Sequence, residues 1–172
     1  MLKPLVSFIL ILCTTLIVSH SQVIQPNSVN IVQQTCSKTP YPALCIQYLN
    51  ADPKSSTSNI NGLALIMINV IKNNANVAIN KINQLSKSIP AKQKEALLFC
   101  SINYTSILVD VFQATQALQK GNPKFAVYNV NSVASEANGC ENGFSGKSPL
   151  TAENNVMHDA SAITSAICKL LL

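Results

Sequence analysis

A helical fold is most clearly indicated by residues 57–90, which read TSNINGLALIMINVIKNNANVAINKINQLSKSIP. The apolar positions of this stretch recur in steps of three and four: Ile60, Ala64, Met67, Ile71, Ala75, Ala78, Ile82, Leu85 and Ile89. This is the period of a helix that turns one face toward a bundle core. The pattern predicts a long helix from Thr57 to Ser88, which ends there because the residue before Pro90 avoids the α region.

The next two helices follow from the same period and from their end signals. One is predicted from Pro90 to Gly121, and its apolar stripe is Leu97, Cys100, Tyr104, Ile107, Val111, Ala114 and Leu118. The other begins at once, with Asn122 as its N-cap and Pro123 at its first helical position. Its stripe is Ala126, Val130, Val133, Ala137, Cys140 and Phe144. The glycines of residues 143–146 end it.

A last helix is predicted after Pro149, with Thr151 as its N-cap and Asn154 at the third helical position. Its core face is formed by Val156, Ala160, Ile163, Ile167 and Leu170. The chain shows no long alternation of period two, so strands are not expected.

These helices predict an all-α fold. Two short helices, over residues 28–36 and 41–50, come before the four long ones, and residues 52–58 read as a linker. Short links favour antiparallel neighbours, so the expected architecture is an up-down-up-down four-helix bundle over residues 57–172. A helical hairpin within residues 22–56 precedes the bundle.

The N-terminus reads as a signal peptide covering residues 1–21. Lys3 supplies the positive charge, residues 5–18 are almost unbroken apolar sequence, and Ser19 and Ser21 are the small residues that a cleavage site needs. An uncleaved anchor is the alternative, which the shortness of the apolar stretch disfavours. No later segment is judged long and apolar enough to span a bilayer. The mature chain, 22–172, is therefore expected to be secreted and free of the membrane.

Composition narrows the classes of partner. Apolar residues make up 48% of the chain and charged residues 11%. The formal net charge is +5, and every cation is a lysine. The absence of arginine argues against nucleic-acid binding, for which arginine forks usually read bases and phosphates. The modest positive charge favours an acidic partner or an anionic matrix.

The cysteines predict two disulfides. Cys13 leaves with the signal peptide, and five others remain: Cys36, Cys45, Cys100, Cys140 and Cys168. The proline turn at residues 39–42 would bring Cys36 and Cys45 together, and Cys100 and Cys140 lie on the apolar stripes of successive helices. These two pairings leave Cys168 as a free thiol. A metal site is the rival interpretation, but the chain has no C-x-x-C pair.

The inventory for catalysis is poor, so neither an enzyme nor a bound cofactor or metal is expected. His158 is the one histidine left after cleavage, and neighbouring helical residues such as His158 and Asp159 do not face each other. We interpret His158 as a surface histidine. No phosphate-binding loop or nucleophile elbow is present.

Asn103-Tyr104-Thr105 is a sequon for N-glycosylation. Because Tyr104 lies on the core stripe of its helix, the neighbouring Asn103 is expected to face outward. Asn103 is therefore a candidate glycosylation site.

Residues 121–125, Gly-Asn-Pro-Lys-Phe, are the one surface feature with a candidate function. The simpler interpretation is a helix start with Phe125 tucked against the neighbouring helix. The functional interpretation is a preorganised probe on a proline-stiffened turn. In it, Lys124 enters a pocket of carboxylates and Phe125 supplies an apolar anchor.

The mature chain resembles the plant invertase and pectin methylesterase inhibitors along nearly its whole length. The matching motifs are residues 36–45 (CSKTPYPALC), residues 63–67 (LALIM), Cys100 with Tyr104, Cys140 before Phe144, residues 147–150 (KSPL) and residues 157–159 (MHD). The resemblance implies a four-helix bundle with an N-terminal hairpin and two disulfides.

The resemblance also implies a function. In the invertase-inhibiting branch, Pro-Lys-Phe follows Gly-Asp or Gly-Asn between two bundle helices, as Pro123, Lys124 and Phe125 do here. The expected protein is thus an apoplastic or vacuolar inhibitor of acid invertase that blocks the sucrose-binding cleft, with pectin methylesterase as the alternative partner. Residues 126–129 (AVYN) depart from relatives, which tend to be more acidic there. A secreted carrier of a small apolar molecule is a third hypothesis, disfavoured by the small residues of the helix stripes.

Overall fold

The computed structural model describes residues 30–172, and the predicted signal peptide lies outside them. The described residues form six α-helices and no strand. The helices are α1 (Ile31–Cys36), α2 (Pro42–Asn50), α3 (Ile60–Leu85), α4 (Lys94–Gln119), α5 (Pro123–Gly143) and α6 (Thr151–Lys169). The prediction of an all-α bundle with an N-terminal hairpin is confirmed.

The four long helices form a closed ring of neighbours around one core. α3 packs on α4, α4 on α5, α5 on α6, and α6 back on α3. Each consecutive pair is joined by a short link, which produces the up-down-up-down order. The largest fully buried side chains from these helices include Met67, Tyr104, Ile107 and Met157. The apolar stripes read from the sequence are thus the core faces of the helices.

The hairpin of α1 and α2 closes over one side of the bundle. Val32 and Leu49 are buried in it, and the two helices contact α3, while α1 also contacts α6. The stretch predicted as a linker is ordered as a 3-10 turn, Pro53–Thr57. It is ordered because the Asp52 carboxylate accepts a hydrogen bond from the Lys54 backbone N–H at 2.9 Å.

The first long helix is shorter than predicted at both ends. α3 begins at Ile60, because the extended backbone of Asn59 places its side-chain oxygen 2.9 Å from the Gly62 N–H. It ends at Leu85, and turns rather than helix lead to Pro90. α4 likewise begins at Lys94, after a 3-10 turn over Ala91–Gln93. The side-chain cap of Asn59 sets the start of α3, whereas backbone turns around Pro90 set the end of α3 and the start of α4.

The predicted capping of α6 by Thr151 is wrong, because the side chains there join helices instead. Leu150 is the N-cap residue, and Thr151 is already helical, with its hydroxyl 2.8 Å from Glu141 Oε1 on α5. Asn154 Nδ2 donates to Glu141 Oε2 at 2.7 Å, and Asn154 Oδ1 accepts from the Tyr104 hydroxyl of α4 at 2.9 Å. Burial alone would raise the pKa of Glu141, but these hydrogen bonds and one from the Ser148 backbone lower it. A polar chain that is buried at Tyr104 and Asn154 and more accessible at Glu141 thus ties three helices together.

Two segments within residues 30–172 are long and apolar enough to cross a membrane by length and composition, Ile60–Leu85 and Ala91–Gln119. The expectation that no segment after residue 21 is long and apolar enough to span a bilayer is therefore wrong by this criterion. Both segments are bundle helices with fully buried residues such as Met67 and Tyr104, and a core helix passes the same test. The second segment is less buried than the first, with 33% of its most apolar part buried against 44%.

Candidate functional site

The turn between α4 and α5 is built by two interlocking end signals. α4 closes with a Schellman motif, in which the Asn122 N–H donates to the Ala117 carbonyl at 2.8 Å and the Gly121 N–H to the Leu118 carbonyl at 3.2 Å. Gly121 has a φ of 71°, the left-handed conformation that this motif requires. The chain therefore leaves α4 at Gln119 and enters α5 at Pro123, with three residues between them.

The start of α5 confirms the predicted cap. The Asn122 side-chain oxygen accepts from the Phe125 N–H at 3.1 Å, and Pro123 occupies the first helical position. Asn129, which the sequence analysis did not select, adds a second restraint, because its Nδ2 donates to the Phe125 carbonyl at 2.8 Å. Both backbone groups of Phe125 are thereby held in place.

The held backbone presents Lys124 and Phe125 to solvent. Lys124 is exposed, and Phe125 keeps 45% of its surface accessible. The simpler interpretation had Phe125 tucked against the neighbouring helix, and the structure shows it exposed. Its ring lies parallel to that of Tyr128, which is 67% exposed, with the ring centroids 6.2 Å apart and the planes inclined by 7°. Tyr128 was missed from the sequence, although its position three residues after Phe125 on a helix is a usable signal.

The surroundings of the turn are apolar and cationic. A depression of about 370 Å³ is lined by Asn122, Lys124, Phe125 and Tyr128. Lys120 and Phe112 border a second depression of about 390 Å³ on the other side of Phe125. The sequence places no acidic residue between Asp110 and Glu136. Within this stretch no side-chain carboxylate opposes the approach of a partner's carboxylate to Lys120 and Lys124.

Both predicted disulfides are confirmed. Cys36–Cys45 closes the hairpin with a Cα–Cα distance of 5.5 Å, and Cys100–Cys140 joins α4 to α5 with a distance of 4.4 Å. Among the described residues, Cys168 is the one free cysteine, and it is buried. Burial raises the pKa of its thiol to about 12, so the reactive thiolate is scarce.

The expectation that Asn103 faces outward is wrong. Asn103 is 6% exposed, and its side chain faces Gly139 of α5 at a point where the two helices approach closely. A Cβ on Gly139 would lie 3.2 Å from the Asn103 amide nitrogen. The helix turns Asn103 toward α5, beside the Cys100–Cys140 bridge, and its amide nitrogen, where a glycan would attach, is buried. The period of the α4 stripe could not reveal this, because α5 covers one flank of that stripe.

The histidine prediction fits the structure. His158 is exposed on α6. Within residues 30–172, no three His, Cys, Asp or Glu side chains come together as a metal site would require.

Comparison with known proteins places this geometry in a family. The sequence model described as plant invertase/pectin methylesterase inhibitor matches residues 30–169. The chain is 43% identical over 139 residues to the cell wall / vacuolar inhibitor of fructosidase 1 of Arabidopsis thaliana, covering 80% of this chain and 67% of the relative. It is 26% identical over 144 residues to a pectinesterase inhibitor of Actinidia deliciosa, covering 83% and 76%.

A solved structure agrees on the fold. The crystal structure of a mutant pectin methylesterase inhibitor from Arabidopsis superposes with a TM-score of 0.69 at 20% identity, over 80% of this chain and 94% of the other. The chain therefore belongs to the plant invertase/pectin methylesterase inhibitor family, and it is an inhibitor-type protein rather than an enzyme.

Proposed function

We propose that this protein inhibits an acid invertase, a β-fructofuranosidase, by placing the Pro123-Lys124-Phe125 turn in the sucrose-binding cleft. The observation that carries the proposal is the turn itself, in which an exposed cation and an exposed aromatic ring stand on a backbone held by Asn122 and Asn129. The 43% identical relative named as an inhibitor of fructosidase supports the invertase as target.

The chemistry of the target explains why this turn fits. Glycoside hydrolases of this kind work with two carboxyl groups that flank the scissile bond. The Lys124 ammonium group is attracted to an ionised carboxylate, and the attraction strengthens when the cleft excludes water. Phe125 fills apolar space at the cleft mouth, and because its backbone is already held, little conformational entropy is lost on binding.

The test is a titration of the mature protein, residues 22–172, into a plant acid invertase at mildly acidic pH while sucrose hydrolysis is followed. The double variant Lys124→Ala/Phe125→Ala is expected to raise the inhibition constant by about 100-fold or more, the usual loss for two central contacts. The matched control is Lys147→Ala, which removes the same kind of exposed cation from the opposite end of the bundle. The control is expected to inhibit like the wild type.

Pectin methylesterase is the alternative target, because three relatives are named as pectinesterase inhibitors and two similar solved structures are of pectin methylesterase inhibitors. A parallel titration against it separates the two functions. Inhibition of the methylesterase without inhibition of any invertase would overturn the proposal and leave residues 123–125 as a helix start.

The proposed location is the apoplast, with the vacuole as the alternative. A relative is named a cell wall / vacuolar inhibitor, and the N-terminal sequence reads as a signal peptide. A fluorescent fusion to the C-terminus of the full chain, followed after plasmolysis, distinguishes cell wall from vacuole.

A further inference from the structure

The outer face of α4 is apolar along much of its length. Four exposed side chains on it are Leu98 (62%), Ile102 (56%), Val109 (51%) and Phe112 (63%). They lie on the side of the helix opposite the core residues Cys100, Tyr104, Ile107 and Val111. We call these four residues the outer stripe.

The outer stripe is too extensive to be incidental. From Leu98 to Phe112 it runs about 20 Å along the helix at about 1.5 Å per residue. Single exposed apolar residues are normal on soluble proteins, whereas four on one helix face, interrupted by the exposed Thr105, form a surface that another molecule can cover. The outer stripe also explains why α4 is apolar enough in composition to cross a membrane although much of the helix is exposed.

The outer stripe continues into the turn. Phe112 and Phe125 line the same depression, so the last member of the stripe and the aromatic ring of the turn border one surface. A partner that takes the turn into a cleft therefore meets the outer stripe with the rim of that cleft.

The lysines at the two ends of α4 favour an acidic partner over a second copy of the chain. Within residues 96–119 the one charged side chain is Asp110, whereas Lys92 and Lys94 precede α4's apolar face and Lys120 and Lys124 follow it. A second copy of the chain, paired either parallel or antiparallel along α4, would bring these lysine pairs together, and Glu95 offsets one charge at one end. An acidic partner would be attracted by the lysines at both ends of the outer stripe.

A membrane surface fits less well. Helices that lie in a bilayer interface carry lysines along the flanks of their apolar face. Here the lysines stand at the two ends, while neighbours of the stripe such as Thr105 and Gln113 are uncharged.

We propose that the outer stripe of α4 is a second contact area for the same carboxylate-bearing enzyme that receives the turn, so this inference rests on the proposed function. Stable interfaces bury about 800 Å² per partner and involve about 20–30 residues on each side. The three side chains of the turn fall far short of that area. The stripe and the Phe125–Tyr128 pair provide the missing apolar surface.

The experiment measures the dissociation constant for acid invertase by calorimetry. The variants are Val109→Gln and Ile102→Gln/Val109→Gln, with Val77→Gln as the matched control. Val77 is 58% exposed on α3, beside Val156 of α6, so the control makes the same change away from the outer stripe. All three changes keep helix propensity and bury nothing polar, so folding is preserved.

The double variant is expected to raise the dissociation constant about tenfold and the Val109 variant a few-fold, while the control matches the wild type. Unchanged affinity in the double variant would overturn the inference. If Lys124→Ala/Phe125→Ala loses inhibition in the same series, the proposed function stands without it. A wild type that does not bind invertase overturns both.

Two further readouts test the other occupants. Light scattering after size exclusion reports self-association, and co-sedimentation with vesicles containing anionic phosphatidylserine reports membrane binding. A wild-type dimer that the double variant dissociates, or vesicle binding that it abolishes, without a change in affinity for invertase would overturn the inference.

Discussion

Asp110 and Glu136 bring two carboxyl groups near each other where α4 meets α5. Burial, and then the negative charge of Glu136, raise the pKa of Asp110 from 3.8 to about 6. An acid with a raised pKa in the folded state holds its proton more tightly there than in the unfolded chain. Its contribution to stability is therefore highest below pH 3.8 and declines as the pH rises to about 6.

Replacing Asp110 by Asn is expected to raise the melting temperature above that pH window and to leave it nearly unchanged below. Circular dichroism melts on both sides of the window measure the difference. Glu136→Gln serves as the comparison, and it should give the same sign with a smaller effect, because it removes the repulsion but not the burial. Equal melting temperatures for Asp110→Asn and wild type at neutral pH would contradict the assignment.

Asn103 gives a second prediction. A glycan attached there would hold α4 away from Gly139 and prevent closure of the Cys100–Cys140 bridge. The disulfide-bonded protein is therefore expected to carry unmodified Asn103 when it is expressed in a plant host. Mass spectrometry of the peptide that contains the sequon measures this. A glycosylated fraction with full inhibitory activity would contradict the described contact between α4 and α5.

The environment of a single residue is predictable from the sequence only where its partners lie close to it in the chain. Asn122 was predictable because a cap depends on neighbours two or three positions away. Asn103 was not, because α5, distant in sequence, decides whether that side of α4 is covered. The restraint of Phe125 by Asn129 was missed because a mid-helix Asn has several possible partners.

The helix ends carry the next prediction, since two of them close with a residue at positive φ. Gly121 has φ 71° at the end of α4, and Ser145 has φ 54° at the end of α5, where the Gly146 N–H donates to the Glu141 carbonyl at 3.1 Å. Both are Schellman motifs, but the C′ residue is a glycine in the first and Ser145 in the second, where Gly146 (φ 77°) follows it. The end of α5 is therefore strained where the end of α4 is not.

Ser145→Gly is expected to stabilise the protein by about 0.5–1 kcal/mol, since relief of the left-handed strain exceeds the added entropy of the unfolded chain. Gly121→Ala is expected to destabilise it by about 1–2 kcal/mol. No atom lies within 4 Å of a Cβ placed on Gly121, so that cost is purely conformational. Urea unfolding measures both changes, and a stabilising Gly121→Ala would refute the description of the turn.

The existence and order of the long helices followed from their apolar period, whereas their ends did not. α3 is shorter than predicted by three residues at each end. Asn59 determines where the helix begins, and the turns before Pro90 determine where it ends. The prediction for the start of α6 was wrong for another reason. Thr151 and Asn154 are used by Glu141 of a different helix, and a single-sequence pattern contains no such pairing.

For the chain as a whole, the two disulfides make unequal contributions. Cys36–Cys45 spans 9 residues and Cys100–Cys140 spans 40. In the loop-entropy account, the shorter bridge stabilises by about 2.5 kcal/mol and the longer by about 4 kcal/mol. All four cysteines are fully buried, so the cavity left by Cys→Ala substitution is the same in kind for both pairs.

Cys100→Ala/Cys140→Ala is therefore expected to lower the free energy of unfolding more than Cys36→Ala/Cys45→Ala, by about 1.5 kcal/mol. Chemical denaturation of the two variants beside the wild type measures the difference. Cys168→Ala keeps both bridges and controls for the loss of one buried sulfur. Equal or reversed losses would show that helix packing around the bridges outweighs chain entropy.

Both bridges and the bundle were predicted from spacing and composition, and the exposed end of the molecule was predicted only in part. The turn at residues 121–125 was selected from its sequence. The outer stripe of α4 was not, because a helix with two apolar faces looks from its sequence like one that is buried all round. The packing of α3 and α5 against α4 shows which of its apolar faces is the core face and which is exposed.

The buried thiol of Cys168 has a consequence for making the protein. In the unfolded chain this sulfur competes with the four others, and each wrong pairing must be undone by exchange. Once α6 packs against the bundle, the Cys168 sulfur is buried and its pKa is raised, so it no longer exchanges with the other cysteines. Oxidative refolding should thus give its best yield when helix docking precedes the oxidant, and a cell that exports this chain faces the same order of operations.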